Sequence, residues 1–78
     1  VLRNDDYTTR DFVVGILQTV FGHSEPIAIR IMLEVHHTGS GTAGVYTHEI
    51  AEMKVHTVET LAREREFPLR LSLEPGEP

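Results

Sequence analysis

The chain has no cysteine, which rules out a disulfide framework and a thiolate zinc site and suits a reducing compartment. It has no apolar run near the roughly 20 residues of a membrane-spanning helix, and its start, Val1-Leu2-Arg3-Asn4, carries no secretory-signal pattern. The expectation is a soluble, cytoplasmic protein. Positive charge is scarce: 7 Lys and Arg stand against 12 Asp and Glu, for a formal net charge of −5. That balance opposes the phosphate neutralisation on which nucleic-acid binding rests and suits a cationic ligand better.

Several chemical signatures are also missing. The five histidines, His23, His36, His37, His48 and His56, include no His-x-x-x-His pair that would set two rings on one helical face. No metal site is expected. Gly39-Ser40-Gly41-Thr42-Ala43-Gly44 lacks the Gly-Lys-Ser/Thr ending and the preceding strand of a phosphate cradle, and reads as a turn into a strand. Ser24, Ser40 and Ser72 fall in a cap, a loop and an alternating strand, with no nucleophile-elbow pattern. The expectation is a protein that is not an enzyme and needs no cofactor.

A chain of 78 residues makes one domain, residues 1–78, with room for one core and one shallow site, since such a chain buries only about 60 to 65% of its unfolded surface. Val1-Leu2 reads as the end of a strand whose natural extension precedes Val1. Thr8 is the expected N-cap of a first helix over about Thr9–Phe21, with Asp11 three residues on as in a capping box. Phe12, Val13, Ile16, Leu17, Val20 and Phe21 recur there at the helical period. Ser24 and Glu25-Pro26 open a second helix, whose apolar side is Ile27, Ile31, Met32 and Val35 and which Gly39 closes. Ala43–Tyr46 is a strand candidate. Thr47 then caps a third helix to about Glu66, with Ala51, Val55, Val58 and Ala62 in one stripe. Pro68 stops it, and Leu69-Arg70-Leu71-Ser72-Leu73 alternates as a half-buried strand does. Residues 74–78 are expected to be flexible. The order β-α-α-β-α-β predicts an α+β two-layer sandwich, a three-stranded antiparallel sheet with three helices on one face.

Asn4-Asp5-Asp6 ahead of Thr8-Thr9-Arg10-Asp11 is, by itself, an acidic turn leading into a helix. It is also a set of acceptors. A peptide's free α-amino group is mostly a compact cation at neutral pH. Asn4 offers an amide oxygen, Asp5 and Asp6 carboxylates, and His36 a ring nitrogen that accepts while the imidazole is neutral. Val13, Met32 and Val35 are most economically core residues.

Asn4-Asp5-Asp6-Tyr7-Thr8-Thr9-Arg10-Asp11-Phe12-Val13-Val14, Met32-Leu33-Glu34-Val35-His36-His37, Gly44-Val45-Tyr46-Thr47, Ile50-Ala51-Glu52-Met53-Lys54-Val55, Ala62-Arg63-Glu64 and Glu66-Phe67-Pro68-Leu69 together resemble the ClpS family, adaptors that capture N-degrons. The resemblance covers almost the whole chain. It implies that Asn4, Asp6 and His36, with Asp5 beside them, hold the α-amino group, and that Thr8, Arg10, Val13, Met32, Val35 and Leu69 line a pocket for the first side chain. It implies that Glu49 and Lys54, otherwise a solvated helix face, dock on the N-terminal domain of the ClpA unfoldase. The chain departs from the family at Thr9-Arg10, where Met after Pro usually gates the pocket against β-branched first residues. An Arg stem can cover the same apolar rim with its head in water; otherwise Arg10 is an ordinary exposed first-turn residue. The function implied is a monomeric adaptor that delivers proteins with Phe, Tyr, Trp or Leu first to the ClpA-ClpP protease. The rival reading is an interaction domain like the ribosomal stalk protein's C-terminal domain, which shares the architecture and lacks the acceptor cluster.

Overall fold

Leu2 has a strand on each side. In the computed structural model, which describes residues 1–75, β1 (Leu2–Arg3) pairs antiparallel with β2 (Ser40–Gly41) and with β3 (Arg70–Leu71), so the sheet order is β2-β1-β3. Leu2 lies opposite both Gly41 and Leu71, and Arg3 opposite Ser40 and Arg70. The β1–β3 ladder runs on through Val1, whose nitrogen donates to the Ser72 carbonyl at 2.8 Å and whose carbonyl accepts from Ser72 N–H at 3.0 Å. Three helices complete the expected order: α1 (Arg10–Thr19), α2 (Glu25–Thr38) and α3 (His48–Glu64). Leu2, Leu17 of α1 and Val58 of α3 are wholly buried against one another's elements, and Val13, Ile16, Ala28, Val35, Ala43, Ala62 and Leu69 complete the core. Glu74 and Pro75 have no regular structure, and residues 76–78 of the tail expected to be flexible lie outside the described residues.

Two local expectations are corrected. Thr9, not Thr8, caps α1, its hydroxyl accepting from Phe12 N–H at 3.2 Å; Thr8 is held in the turn before it. The second strand is Ser40–Gly41 rather than Ala43–Tyr46. A Cβ on Gly41 would sit 2.9 Å from Val35 Cγ2, so glycine lets β2 lie directly on α2, opposite Leu2. Ala43 to Tyr46 turns away instead: Ala43 is buried with its carbonyl bonded to His23 Nε2, while Val45 is exposed.

The C-termini of α2 and α3 are each closed by specific contacts. Gly39 ends α2 in the left-handed region at φ 91°, its N–H bonded to the Val35 carbonyl at 2.9 Å. After α3, Glu66 N–H bonds to Arg63 O at 3.0 Å and Phe67 N–H to Ala62 O at 2.8 Å, a Schellman closure. The left-handed position in it, φ 60°, is held by Glu66, the one non-glycine residue with positive φ among those described. A Cβ there costs about 1 to 2 kcal/mol, partly offset by the entropy a glycine would lose on folding. Glu66→Gly should therefore stabilise the fold by up to about 1 kcal/mol, a Tm rise of roughly 4 to 8 °C per kcal/mol in a domain this small. A lower Tm in thermal denaturation would contradict that account of the cap.

Candidate functional site

Asn4 N–H donates to the Gly39 carbonyl at 2.9 Å, which lays the acidic turn against the C-terminal end of α2. Asp5 then builds the turn. Its Oδ1 accepts from Tyr7 N–H at 2.8 Å and Thr8 N–H at 2.6 Å, and its Oδ2 from the Thr8 hydroxyl at 2.7 Å. Three bonds from within the turn thus occupy most of the acceptor capacity of Asp5, which the resemblance places beside the ligand's ammonium. Partial burial by itself raises the Asp5 pKa, but the bonds from the Thr8 hydroxyl, Thr8 N–H and Tyr7 N–H outweigh it and hold the carboxyl below its ordinary value of 3.8.

With the turn in place, Asn4, Asp5, Asp6, Thr8, Arg10, Val13, Met32, Val35 and His36 line one cavity of about 190 Å³. Val13 and Val35 are buried and Met32 half-buried, so they form its apolar floor; Asn4, Asp6, Arg10 and His36 are exposed and form its rim. Helical spacing explains the grouping: Arg10 and Val13 lie one turn apart on α1, and Met32 and His36 one turn apart on α2. The volume is below the roughly 300 to 1,000 Å³ of drug-sized sites, which is room for one large side chain. Among the described residues, no side-chain hydrogen bond or ion pair engages the Asn4 amide or the Asp6 carboxylate. These acceptors are free for a cation at the rim.

Arg10 was expected to keep its head in water. It reaches across the rim instead, with Nη2 2.7 Å from His36 Nε2. A guanidinium only donates, so in this contact Nε2 is the acceptor, the role it has in the tautomer that carries its proton on Nδ1. No sequence signal couples residues 10 and 36. Leu69 does not line this cavity; it is buried in the core and borders a separate hollow beside Ala62, Phe67 and Pro68.

Lys54 also differs from expectation. It donates to the Val20 carbonyl at 2.7 Å and stands 4.9 Å from the Tyr46 ring centroid and 5.8 Å from that of Phe21. Tyr46 OH donates to the Phe21 carbonyl at 3.2 Å. Together they satisfy orphan carbonyls at the end of α1. Glu49, in the first turn of α3, is exposed. A larger hollow of about 350 Å³ lies between α3, residues 42–46, Val1 and Leu73–Pro75. Among the described residues, no helix is long and apolar enough to cross a membrane.

The sequence model of the family described as "ATP-dependent Clp protease adaptor protein ClpS" matches residues 1–72. A curated ATP-dependent Clp protease adapter protein ClpS of Myxococcus xanthus (strain DK1622) is 57% identical over 77 residues, 99% of this chain and 72% of that protein. The one of Desulfatibacillum aliphaticivorans is 59% identical over 75 residues, 96% of this chain and 72% of the relative. A solved structure of Agrobacterium tumefaciens ClpS2 bound to L-phenylalaninamide superposes with a TM-score of 0.91 at 41% identity, covering 96% of this chain and 90% of that one.

The Asp5 turn has a pH signature. Because the folded-state pKa is depressed, its stabilisation is complete above the ordinary carboxyl value and is lost as pH falls through the folded-state value. Asp5→Ala should cost about 1 kcal/mol near neutral pH, as loss of a capping carboxylate does, and the two proteins should converge in stability at acid pH. Urea titrations across that range that keep a constant gap would remove the carboxylate from the explanation.

Proposed function

Since the chain belongs to the ClpS family of Clp protease adaptors, we propose that it binds the free N-terminus of proteins whose first residue is large and hydrophobic and delivers them to the ClpA-ClpP protease. The single observation that carries the reading is the coincidence, in one small cavity, of an apolar floor with unpaired acceptors at its rim. In this reading Asn4, Asp6 and His36 receive the α-ammonium, and Val13, Met32, Val35 and the stem of Arg10 surround the first side chain, with Thr8 at the turn. The Agrobacterium relative holds L-phenylalaninamide, a phenylalanine with its α-amino group free and its carboxylate masked, which is how the first residue of a protein presents itself. No bond chemistry is involved, and the protein acts as a monomeric, cytoplasmic carrier without metal or cofactor.

The energetics fit a transient carrier. Burying a Phe or Leu side chain contributes about 1.5 to 3 kcal/mol, and each charge-assisted bond to the ammonium a comparable amount. After the cost of association, micromolar affinity is the expectation. Acetylating the α-amino group removes the charge and should abolish binding of a Phe-starting peptide in a fluorescence titration. His36→Ala should weaken binding of the free-amine peptide by ~10-fold or more, whereas His56→Ala, an exposed residue of α3, should leave it unchanged. Equal affinity for free and acetylated peptides would sink the proposal.

For docking on the ClpA N-terminal domain, Glu49 and Lys54 act differently. Glu49 is exposed and available for direct contact; Lys54 presents the start of α3 by tying it to the end of α1. Glu49→Ala should weaken unfoldase binding with Tm unchanged, while Lys54→Ala should lower Tm as well, because it leaves the Val20 carbonyl unsatisfied. Calorimetry in which Lys54→Ala keeps the wild-type Tm would remove that division of roles.

A further inference from the structure

We propose that Arg10 is an internal stand-in for the ligand's ammonium, and that its release on binding makes the site favour an acidic residue directly after the ligand's first residue. The inference rests on the N-terminus-binding reading of the cavity. Its geometric basis is the Arg10 Nη2 to His36 Nε2 contact of 2.7 Å. A neutral imidazole nitrogen accepts one hydrogen bond in the ring plane, so it serves the guanidinium or an incoming ammonium and not both. Arg10 and the ligand compete for the same lone pair.

Arg10 is poorly held otherwise. The ion pairs among the described residues are Arg3–Glu74 and His48–Glu52, and neither includes it. Asp5 accepts three bonds from Tyr7 and Thr8, and no ion pair joins Arg10 to Asp5 or Asp6 among the described residues. A guanidinium bonded only to a neutral ring gives way to a compact cation that also engages Asn4 and Asp6. Once displaced, it remains at the rim, because it is the first residue of α1, where the helix end adds positive potential. In this proposal the ligand chain leaves the cavity across that rim, which Arg10 helps to line. Two cations are then close together, and a carboxylate on the ligand's second residue relieves the repulsion and offers the guanidinium a forked, charge-assisted partner. A lysine at that position adds a third positive charge. Discrimination therefore comes from the repulsive element as much as from the attractive one.

The test uses the whole chain and labelled peptides that start Phe-Glu, Phe-Gln or Phe-Lys and are otherwise identical, with an acetylated Phe-Gln control, titrated against the wild type and Arg10→Met by fluorescence anisotropy. In the wild type Phe-Glu should bind roughly two- to fivefold more tightly than Phe-Gln, the size expected of an exposed ion pair, and Phe-Lys more weakly than Phe-Gln. In Arg10→Met the preference for Glu should vanish and Phe-Gln should bind more tightly, since the internal competitor is gone. An unchanged ratio of Phe-Glu to Phe-Lys affinity in the variant overturns the proposal while leaving the adaptor reading intact. If no free-amine peptide binds better than the acetylated control in either protein, the adaptor reading itself fails and this inference with it.

Discussion

A single main-chain hydrogen bond, from Asn4 N–H to the Gly39 carbonyl at 2.9 Å, joins the two segments from which the proposed site is built. On one side of it lies the acidic turn, on the other the end of α2 with His36 a turn earlier. It exists because Gly39 adopts φ 91°, which turns the chain back so that β2 can run beside β1. Gly41 then lets that strand rest on Val35. Two glycines in one short loop thus set the height of the sheet against α2, and with it the distance between the acceptors of the turn and those of the helix.

The turn shows how a small protein divides its negative charge. Asp5 and Asp6 are neighbours in sequence, yet one is consumed by three hydrogen bonds from its own turn while the other stays unpaired at the rim. An acceptor used for folding is not available for recognition. The same division applies to the basic residues: Lys54 is committed to the Val20 carbonyl and the Tyr46 ring, while Arg10 is held only by His36. Asp5 and Lys54 are committed to main-chain groups of the scaffold, whereas Asn4 and Asp6 keep their side chains unpaired among the described residues.

The contacts at the end of α1 are the counterpart, on the far side of the domain, of the site at its beginning. Lys54 and Tyr46 come from α3 and the loop before it, so one helix has its first turn at the cavity and its last carbonyls capped by the second half of the chain. Leu17 and Val58 are both fully buried in the same core, and α1 packs against α2. Arg10 and Val13 are therefore presented by a rigid element, as a site that discriminates by shape requires.

The helical stripes, the stop at Gly39, the alternation after Pro68 and the order of elements were legible in the sequence, because periodicity and punctuation are properties of neighbouring residues. Most members of the cavity were legible too, through the resemblance that Asn4-Asp5-Asp6 and Val35-His36 carry. What the sequence could not express were relations between distant groups. Thr8 and Thr9 are equally good caps by type, and the choice depended on Asp5 taking Thr8. Ala43–Tyr46 has strand composition, but only Gly41 fits the space opposite Leu2. Leu69 lies in the core just ahead of β3, and Lys54 reads as a solvated charge until α3 brings it to the Val20 carbonyl. Local pattern and family signature determined what the elements are and which residues meet at the cavity; three-dimensional packing decided which polar groups were spent on one another and which were left free, since that depends on distances that no linear spacing encodes.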